Sequence, residues 1–302
     1  MLYTSDLLIE AIKRNGSIPT SQRKFGTGDF LAFLNEELEL SLVTLLVSMN
    51  QDYFIEHETI PLVASQSEYD FPLRAIGWKA NAVGYVDTTG VYSKLPKINR
   101  SQRGSYGVNS GGTSPSGFYI EGTKIVTIPD MGASVSGSLL VDFIRIQNRL
   151  VSVNSCGLVT VVAIVGVNYQ ITVNTVPSVT GGIDAISGTN PFNVFARGST
   201  PIVAGFNLTC PIIDFERAPV AGDYLCQSGT TPIPNIPEDF HPVLAQAATL
   251  RCLISMSDVK GLQTAQMSYG RMLDAMGSKA SERVSTSPTK IVPKSRILNR
   301  MR

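Results

Sequence analysis

The spacing of apolar residues changes twice along this chain of 302 residues, from helical to strand-like and back to helical. Between Phe30 and Met49, apolar side chains recur every three or four positions, which predicts one long amphipathic helix. From about residue 52, short runs of aromatic and β-branched residues alternate with turn formers, a pattern typical of strands. Beyond Pro237 the helical spacing returns. Strands placed between two helical regions predict an α+β fold in which the terminal helices pack together.

Three helices are expected to form a small bundle: the long N-terminal helix and two C-terminal helices separated by a break near Ser257 and Asp258. A short helix over DLLIEAIKRNG precedes them. The first C-terminal helix is expected to bury one face, and Glu36, Glu37 and Glu39 to lie off the buried stripe of the long helix, where they face water or a neighbour. That stripe is Phe30, Leu34, Leu38, Leu42, Leu45 and Met49. The residues expected to pack the bundle are Phe30, Leu34, Leu38, Phe240, Leu244, Tyr269 and Met272.

The central region divides by charge. Residues 52–149 predict a β-sandwich or barrel domain, whereas the 64 residues from Leu150 to Ile213 hold only two charges, Asp184 and Arg197. We interpret the charge-poor segment as a second β module inserted in the first. A surface so short of charge usually faces another copy or another protein, although a hydroxyl-rich β surface can also simply be exposed.

The C-terminal 24 residues are basic, with seven Lys or Arg and one Glu, so the remainder of the chain carries a formal charge of −5. This predicts an extended arm that reaches for a negatively charged partner; a solvated tail is the alternative. The expected organisation is N-terminal helices at 1–51, a β domain at 52–149, a charge-poor β insertion and return segment at 150–235, C-terminal helices at 236–278 and the extended arm at 279–302.

Catalytic and metal-binding patterns are missing from the sequence. The only histidines are His57 and His241, and the four cysteines show no C-x-x-C spacing, so we expect no metal, no cofactor and no enzyme activity. A carboxylate pair such as Asp214 with Glu216 leaves no local signature and would be the remaining route to hydrolysis. His241, just inside a helix start, is expected to be a packing or capping residue. The apolar run CGLVTVVAIVGVNYQITV is broken by Gly and Asn and predicts two strands, so no membrane span is expected.

The order of segments resembles the head-tail connector (adaptor, or neck) proteins of tailed bacteriophages. The pieces that carry the resemblance are Gly222–Tyr224 in AGDYLC, Pro232–Pro234, Ile236–His241 leading into an alanine-bearing helix, and Ser287–Val292 in the basic arm. The resemblance covers most of the chain, apart from residues 150–215.

The resemblance implies a structural virion protein, made in the host cytoplasm, that forms a ring of typically twelve copies beneath the portal and extends the DNA channel. Genomic DNA would pass through without sequence-specific binding, and the β domain would meet a tail or nozzle protein. The arm would bind the portal protein through Lys290, Ile291, Val292, Lys294, Arg296, Ile297, Leu298, Arg300 and Arg302. Two alternatives remain open: a β-rich glycan-binding or tail-associated protein, although Trp78 is the only tryptophan for stacking on sugars, and a nucleic-acid-binding tail.

Overall fold

A computed structural model describes residues 3–19, 24–49, 53–101, 112–129, 131–190 and 194–279. The fold is mixed α+β, as the sequence predicts, with helices at both ends of the described chain and extensive antiparallel sheets between them. The α-helices are α1 Ser5–Asn15, α2 Thr27–Glu37, α3 Val43–Met49, α4 His241–Met256 and α5 Val259–Lys279. None of the helices in these ranges is long and apolar enough to cross a membrane.

Short strands make up the central region. They are β1 Ile55–Pro61, β2 Glu68–Asp70, β3 Ala75–Val86, β4 Tyr92–Lys94, β5 Gly117–Glu121, β6 Lys124–Ile128, β7 Ser138–Arg145 and β8 Arg149–Leu150. They continue as β9 Gly157–Val165, β10 Asn168–Val173, β11 Ile183–Ile186, β12 Val194–Ser199, β13 Ile202–Ala204, β14 Asn207–Pro211, β15 Tyr224–Gln227 and β16 Thr230–Thr231.

The helices form one bundle with α4 at its centre, in contact with α1, α2 and α5. The sequence predicts one buried face for α4, but nearly every residue from His241 to Leu253 is buried. Small side chains such as Ala245 and Ala248 allow neighbouring helices to approach on several sides, so no exposed polar face is needed. The predicted break after α4 is confirmed, because Ser257 adopts a left-handed conformation there.

The predicted long N-terminal helix is interrupted by a π-helical turn, Leu38–Leu42, which joins α2 to α3. A π turn adds one residue and rotates the next helical segment by about 100° relative to a regular α-helix. Leu46 is therefore fully buried, whereas Leu45, which the regular spacing places on the stripe, is only partly buried. Of the two surroundings expected for Glu37, water or a neighbour, the structure has the neighbour: Glu37 is buried and paired with Arg251 of α4.

Two antiparallel sheets, in strand orders β1-β7-β3-β4 and β2-β6-β5, form the first β unit. Both sheets contribute to one apolar core, for example Tyr69 and Ile125 from the smaller sheet and Val83 and Val141 from the larger. Strand β7 alternates between buried and half-buried residues, as expected for a strand with one face on a core.

The charge-poor segment forms a second β unit with its own core and a seven-stranded sheet in the order β12-β11-β15-β9-β10-β14-β13. The sequence predicts an insertion within the first unit, but all strands of the first unit end by Arg145. Strand β7 already fills the place between β1 and β3, so the first sheet is complete before the second unit begins. The chain enters and leaves this unit side by side, because β8 pairs in parallel with β16.

Candidate functional site

His241 ties the N-terminal segment to the start of α4. Its ring is fully buried; Nδ1 accepts a hydrogen bond from the backbone N–H of Tyr3 at 3.2 Å, and Nε2 lies 3.2 Å from the carbonyl oxygen of Ile236. The Tyr3 ring packs edge-on against the imidazole, with ring centroids 6.2 Å apart. Nearby, the backbone N–H of Ser5 donates to the carbonyl of Pro232 at 2.7 Å, which holds α1 against the segment leading into α4.

The environment of His241 favours the neutral imidazole. Burial lowers the pKa of His241 from 6.5 to about 4, although the backbone carbonyls of Ile236 and Pro234 act in the opposite direction. Because Nδ1 accepts the Tyr3 N–H, adding a proton there would break that hydrogen bond. The residue therefore packs and positions the chain, and its partners are backbone groups.

Possible metal ligands are not clustered in the described ranges, and the cysteine thiols there are buried. No group of three or more His, Cys, Asp or Glu side chains there could hold a metal ion. All four cysteines are buried and unpaired, and burial raises the pKa of Cys210 and Cys252 to about 11. Asp214 accepts a hydrogen bond from the Ser199 hydroxyl at 2.7 Å, whereas the neighbouring Glu216 is exposed.

The residues expected to pack the bundle do come together. Phe30, Leu34, Leu38, Phe240 and Leu244 are buried in one cluster, and Tyr269 and Met272 of α5 are partly buried against it. The arm residues Lys290, Ile291, Val292, Lys294, Arg296, Ile297, Leu298, Arg300 and Arg302 lie outside the described residues.

Asp223, from the AGDYLC segment, is a structural residue. Its buried carboxylate accepts two parallel hydrogen bonds from Arg217, both 2.9 Å long, and further bonds from the backbone N–H groups of Val220 and Gly188. The Arg217 guanidinium also lies 3.7 Å from the ring centroid of Phe195. Both oxygens of the carboxylate are therefore occupied by groups of the second β unit, and Asp223 ties together the segments that carry Arg217, Val220 and Gly188.

A polar seam of five residues joins the two β units, and no motif in the sequence points to it directly. Arg74 of the first unit approaches the buried Asp184 of the second at 3.6 Å, and Arg197 of the second pairs with Glu56 of the first at 2.6 Å. The fifth member, Arg145, lies 3.6 Å from the same Glu56 carboxylate. Each β unit therefore contributes the arginine of one ion pair and the carboxylate of the other.

Burial perturbs the charges in and beside the polar seam. Desolvation lowers the pKa of Arg145 to about 10, with Glu56 opposing the shift, so the guanidinium remains charged at neutral pH. Desolvation also raises the pKa of Glu58, and the neighbouring carboxylate of Glu56 adds to the increase. Asp184 is held further by the backbone N–H groups of Gly198 and Gly229, at 3.0 and 2.9 Å. The polar seam is therefore a buried or half-buried charged contact between the two β units.

The second β unit also presents an outward face with no charged residue. The residues facing outward on β10 and β14 alternate with buried ones such as Ile171 and Leu208. Two rows of outward residues run across strands β9, β10, β14 and β13, and together we call them the uncharged face. One row is Val161, Thr172, Asn207 and Ala204, and the other is Ala163, Gln170, Thr209 and Ile202. Val161 and Ile202 are 58% and 72% exposed. At its margin, β13 ends the sheet, and no strand of the described chain pairs with its outer edge.

No protein-family model and no curated protein matches this chain.

Proposed function

We propose that this protein is a head-tail connector (adaptor) subunit of a tailed bacteriophage, a structural virion protein that assembles into a ring beneath the portal. The observation that carries the proposal is the uncharged face. A subunit in a cyclic ring buries two different surfaces against its neighbours, so an outward sheet face that lacks charge has a use there that it lacks in a monomer.

The composition of the uncharged face argues against the other candidate partners. Its eight residues include no Lys or Arg, so the face offers nothing to neutralise phosphates of nucleic acid. They also include no aromatic side chain on which a sugar ring could stack. A flat mixture of aliphatic, hydroxyl and amide groups suits a protein surface of similar character.

In this proposal the remaining parts have separate partners. The basic arm binds the portal protein, the β units present a docking surface for a tail or nozzle protein, and genomic DNA passes through the ring without being read. The helical bundle supports the arm, because α5 ends at Lys279, where the basic segment begins.

The first experiment measures the mass of the purified protein, alone and mixed with a bacteriophage portal protein, by mass photometry and electron microscopy. We expect a closed ring in at least one of the two samples. Val161→Glu combined with Ile202→Glu should abolish the ring, because each carboxylate would have to be buried without a partner. Val259→Glu is the matched control, since Val259 on α5 is 65% exposed and lies outside the uncharged face. A chain that stays monomeric in both samples would refute the proposal.

The second experiment concerns the arm. Deletion of residues 280–302 should abolish binding to the portal protein in a pull-down while the circular dichroism spectrum and melting temperature of the body are preserved, because all the core clusters lie before Lys279. Undiminished portal binding by the truncated protein would show that the arm is not the contact.

A further inference from the structure

A cleft lies between the helical bundle and the first β unit. It has a volume of about 310 Å³ and is lined by Glu39, Val43, Ile76, Ile146 and Gln147. Val43 is buried, whereas Ile76 and Ile146 are 38% and 39% exposed, so two aliphatic side chains of the wall face solvent. Apolar walls left open in this way favour an apolar occupant.

An unusual backbone holds one wall of the cleft. The pairing of β3 with β7 is interrupted between Ala75 and Ala80, and within this bulge Gly77 and Trp78 have φ values of 61° and 54°. A left-handed conformation is strained for tryptophan, and bulges re-aim side chains beside sites of interaction. Trp78 packs edge-on against Phe71, with ring centroids 6.3 Å apart. Ile76, in the same bulge, has no partner on β7 and lines the cleft.

Gln147 adds a buried, unpaired acceptor to the wall of the cleft. The residue is only 5% exposed, and its Nε2 donates to the carbonyl of Arg145 at 3.2 Å. Its Oε1 is buried and has no hydrogen-bond partner in the described part of the chain. A buried acceptor left unpaired is unfavourable, and a ligand that brings an N–H donor would relieve it.

The charge at the cleft selects a basic ligand. The exposed Glu39 carboxylate at the rim takes part in no ion pair among the described residues. Arg74 and Arg145, which flank the wall residues Ile76 and Ile146 in the chain, are opposed by Asp184 and Glu56 of the polar seam. A segment that combines aliphatic side chains, backbone N–H groups and a cation therefore matches the cleft.

The chain itself contains such a segment within reach. Residues 290–292 read Lys-Ile-Val, in a tail that starts at the end of α5. The last turns of α5 pack beside Met49, and Val43 is six residues, or about 9 Å, along α3 from there. The twelve residues from Lys279 to Ile291 can span up to about 40 Å when extended.

We propose that the cleft binds the C-terminal segment of the same chain, with Ile291 and Val292 between the aliphatic walls and Lys290 beside Glu39. This docking does not rest on the connector function. It gives the segment a place on its own subunit before any partner takes it up, and a partner would have to displace it.

Limited trypsin digestion of the full-length protein, followed by mass spectrometry, tests the docking. Cleavage after Lys290 and Lys294 should be slow in the wild type and at least about tenfold faster in Ile76→Asp and in Glu39→Arg, because proteolysis follows the population of the undocked segment. Ile254→Asp is the matched control, since Ile254 on α4 is also exposed, at 57%, and should leave the cleavage rate unchanged. Glu39→Arg changes an exposed residue and so keeps the test valid if Ile76→Asp unfolds the protein.

Two further variants make the assignment specific. Ile291→Asp should match Ile76→Asp in the rate of cleavage after Lys294, whereas Ile297→Asp should behave as the wild type. Glu39→Lys combined with Lys290→Glu should restore protection of Lys294. Protection should also be independent of protein concentration, because the segment is tethered to its cleft. Equal cleavage in the wild type, Ile76→Asp and Glu39→Arg, or loss of protection on dilution, would overturn the proposal.

Discussion

Replacing His241 with Gln should reduce the amount by which the free energy of unfolding of this protein falls as the pH is lowered below 7. In the folded chain the buried imidazole has a pKa of about 4, against 6.5 for the ordinary side chain. Between these values the unfolded chain binds a proton that the folded chain does not. The contribution of His241 to stability is therefore complete above about pH 6.5 and is lost as the pH falls toward 4.

The size of the effect follows from the shift. A depression from 6.5 to about 4 corresponds to about 3 kcal/mol over the whole window, of which about 2 kcal/mol is lost between pH 7 and pH 5. Gln keeps an amide oxygen to accept from the Tyr3 N–H and an amide N–H for the Ile236 carbonyl, but it does not titrate.

Urea denaturation of both proteins at pH 7 and pH 5 provides the measurement. The free energy of unfolding should fall between the two pH values by about 2 kcal/mol more in the wild type than in His241→Gln, whatever the variant costs at pH 7. His57→Gln is the control, because the exposed His57 keeps its contact with water in both states. An equal fall in the wild type and His241→Gln would refute the view of His241 as a buried neutral residue.

Three further substitutions test the packing. Phe240→Ala should lower the free energy of unfolding in denaturant by about 3 to 5 kcal/mol, because the ring is buried in the bundle core; a loss below about 1 kcal/mol would contradict this. Leu46→Ala should lower the free energy of unfolding by about 2 to 5 kcal/mol in the same measurement, and clearly more than Leu45→Ala. In a regular helix, Leu45→Ala would be the more costly of the two substitutions. Asp184→Ala should lower the free energy of unfolding by about 3 to 5 kcal/mol, because Arg74 loses its buried partner. An unchanged free energy of unfolding would show that the polar seam is dispensable.

The sequence predicted the helical bundle well because its signal is local. Residues three and four apart lie on one face of a helix, so the buried Phe30 and Leu34 and the half-buried Tyr269 could be found from spacing alone. The π turn at Leu38–Leu42 could not be found this way, since the register after it depends on packing against α4. The same tertiary contact buries Glu37, whose partner Arg251 lies 214 residues away in the chain.

The polar seam could not be predicted because its members come from strands that are paired only by the fold. One signal was nevertheless present. Asp184 and Arg197 are the only charges in 64 residues, and both lie in the polar seam. A charge that persists in an otherwise uncharged segment is costly to bury unless it has a partner, so its isolation was itself a reason to expect an ion pair with another part of the chain.

The polar seam and the uncharged face are linked in the proposed ring. A heterologous contact closes into a ring only if each subunit turns by the same fixed angle, and otherwise it grows into an open filament. The uncharged face lies on the second β unit, whereas the bundle and the arm lie beyond the point where β8 and β16 bring the chain back. Between the first and second β units lie the contacts of Arg197 with Glu56 and of Arg74 with Asp184, so we expect them to influence that angle. Loosening the polar seam should therefore produce assemblies of mixed size and not merely fewer rings, because the contact surface survives while the angle that closes it does not.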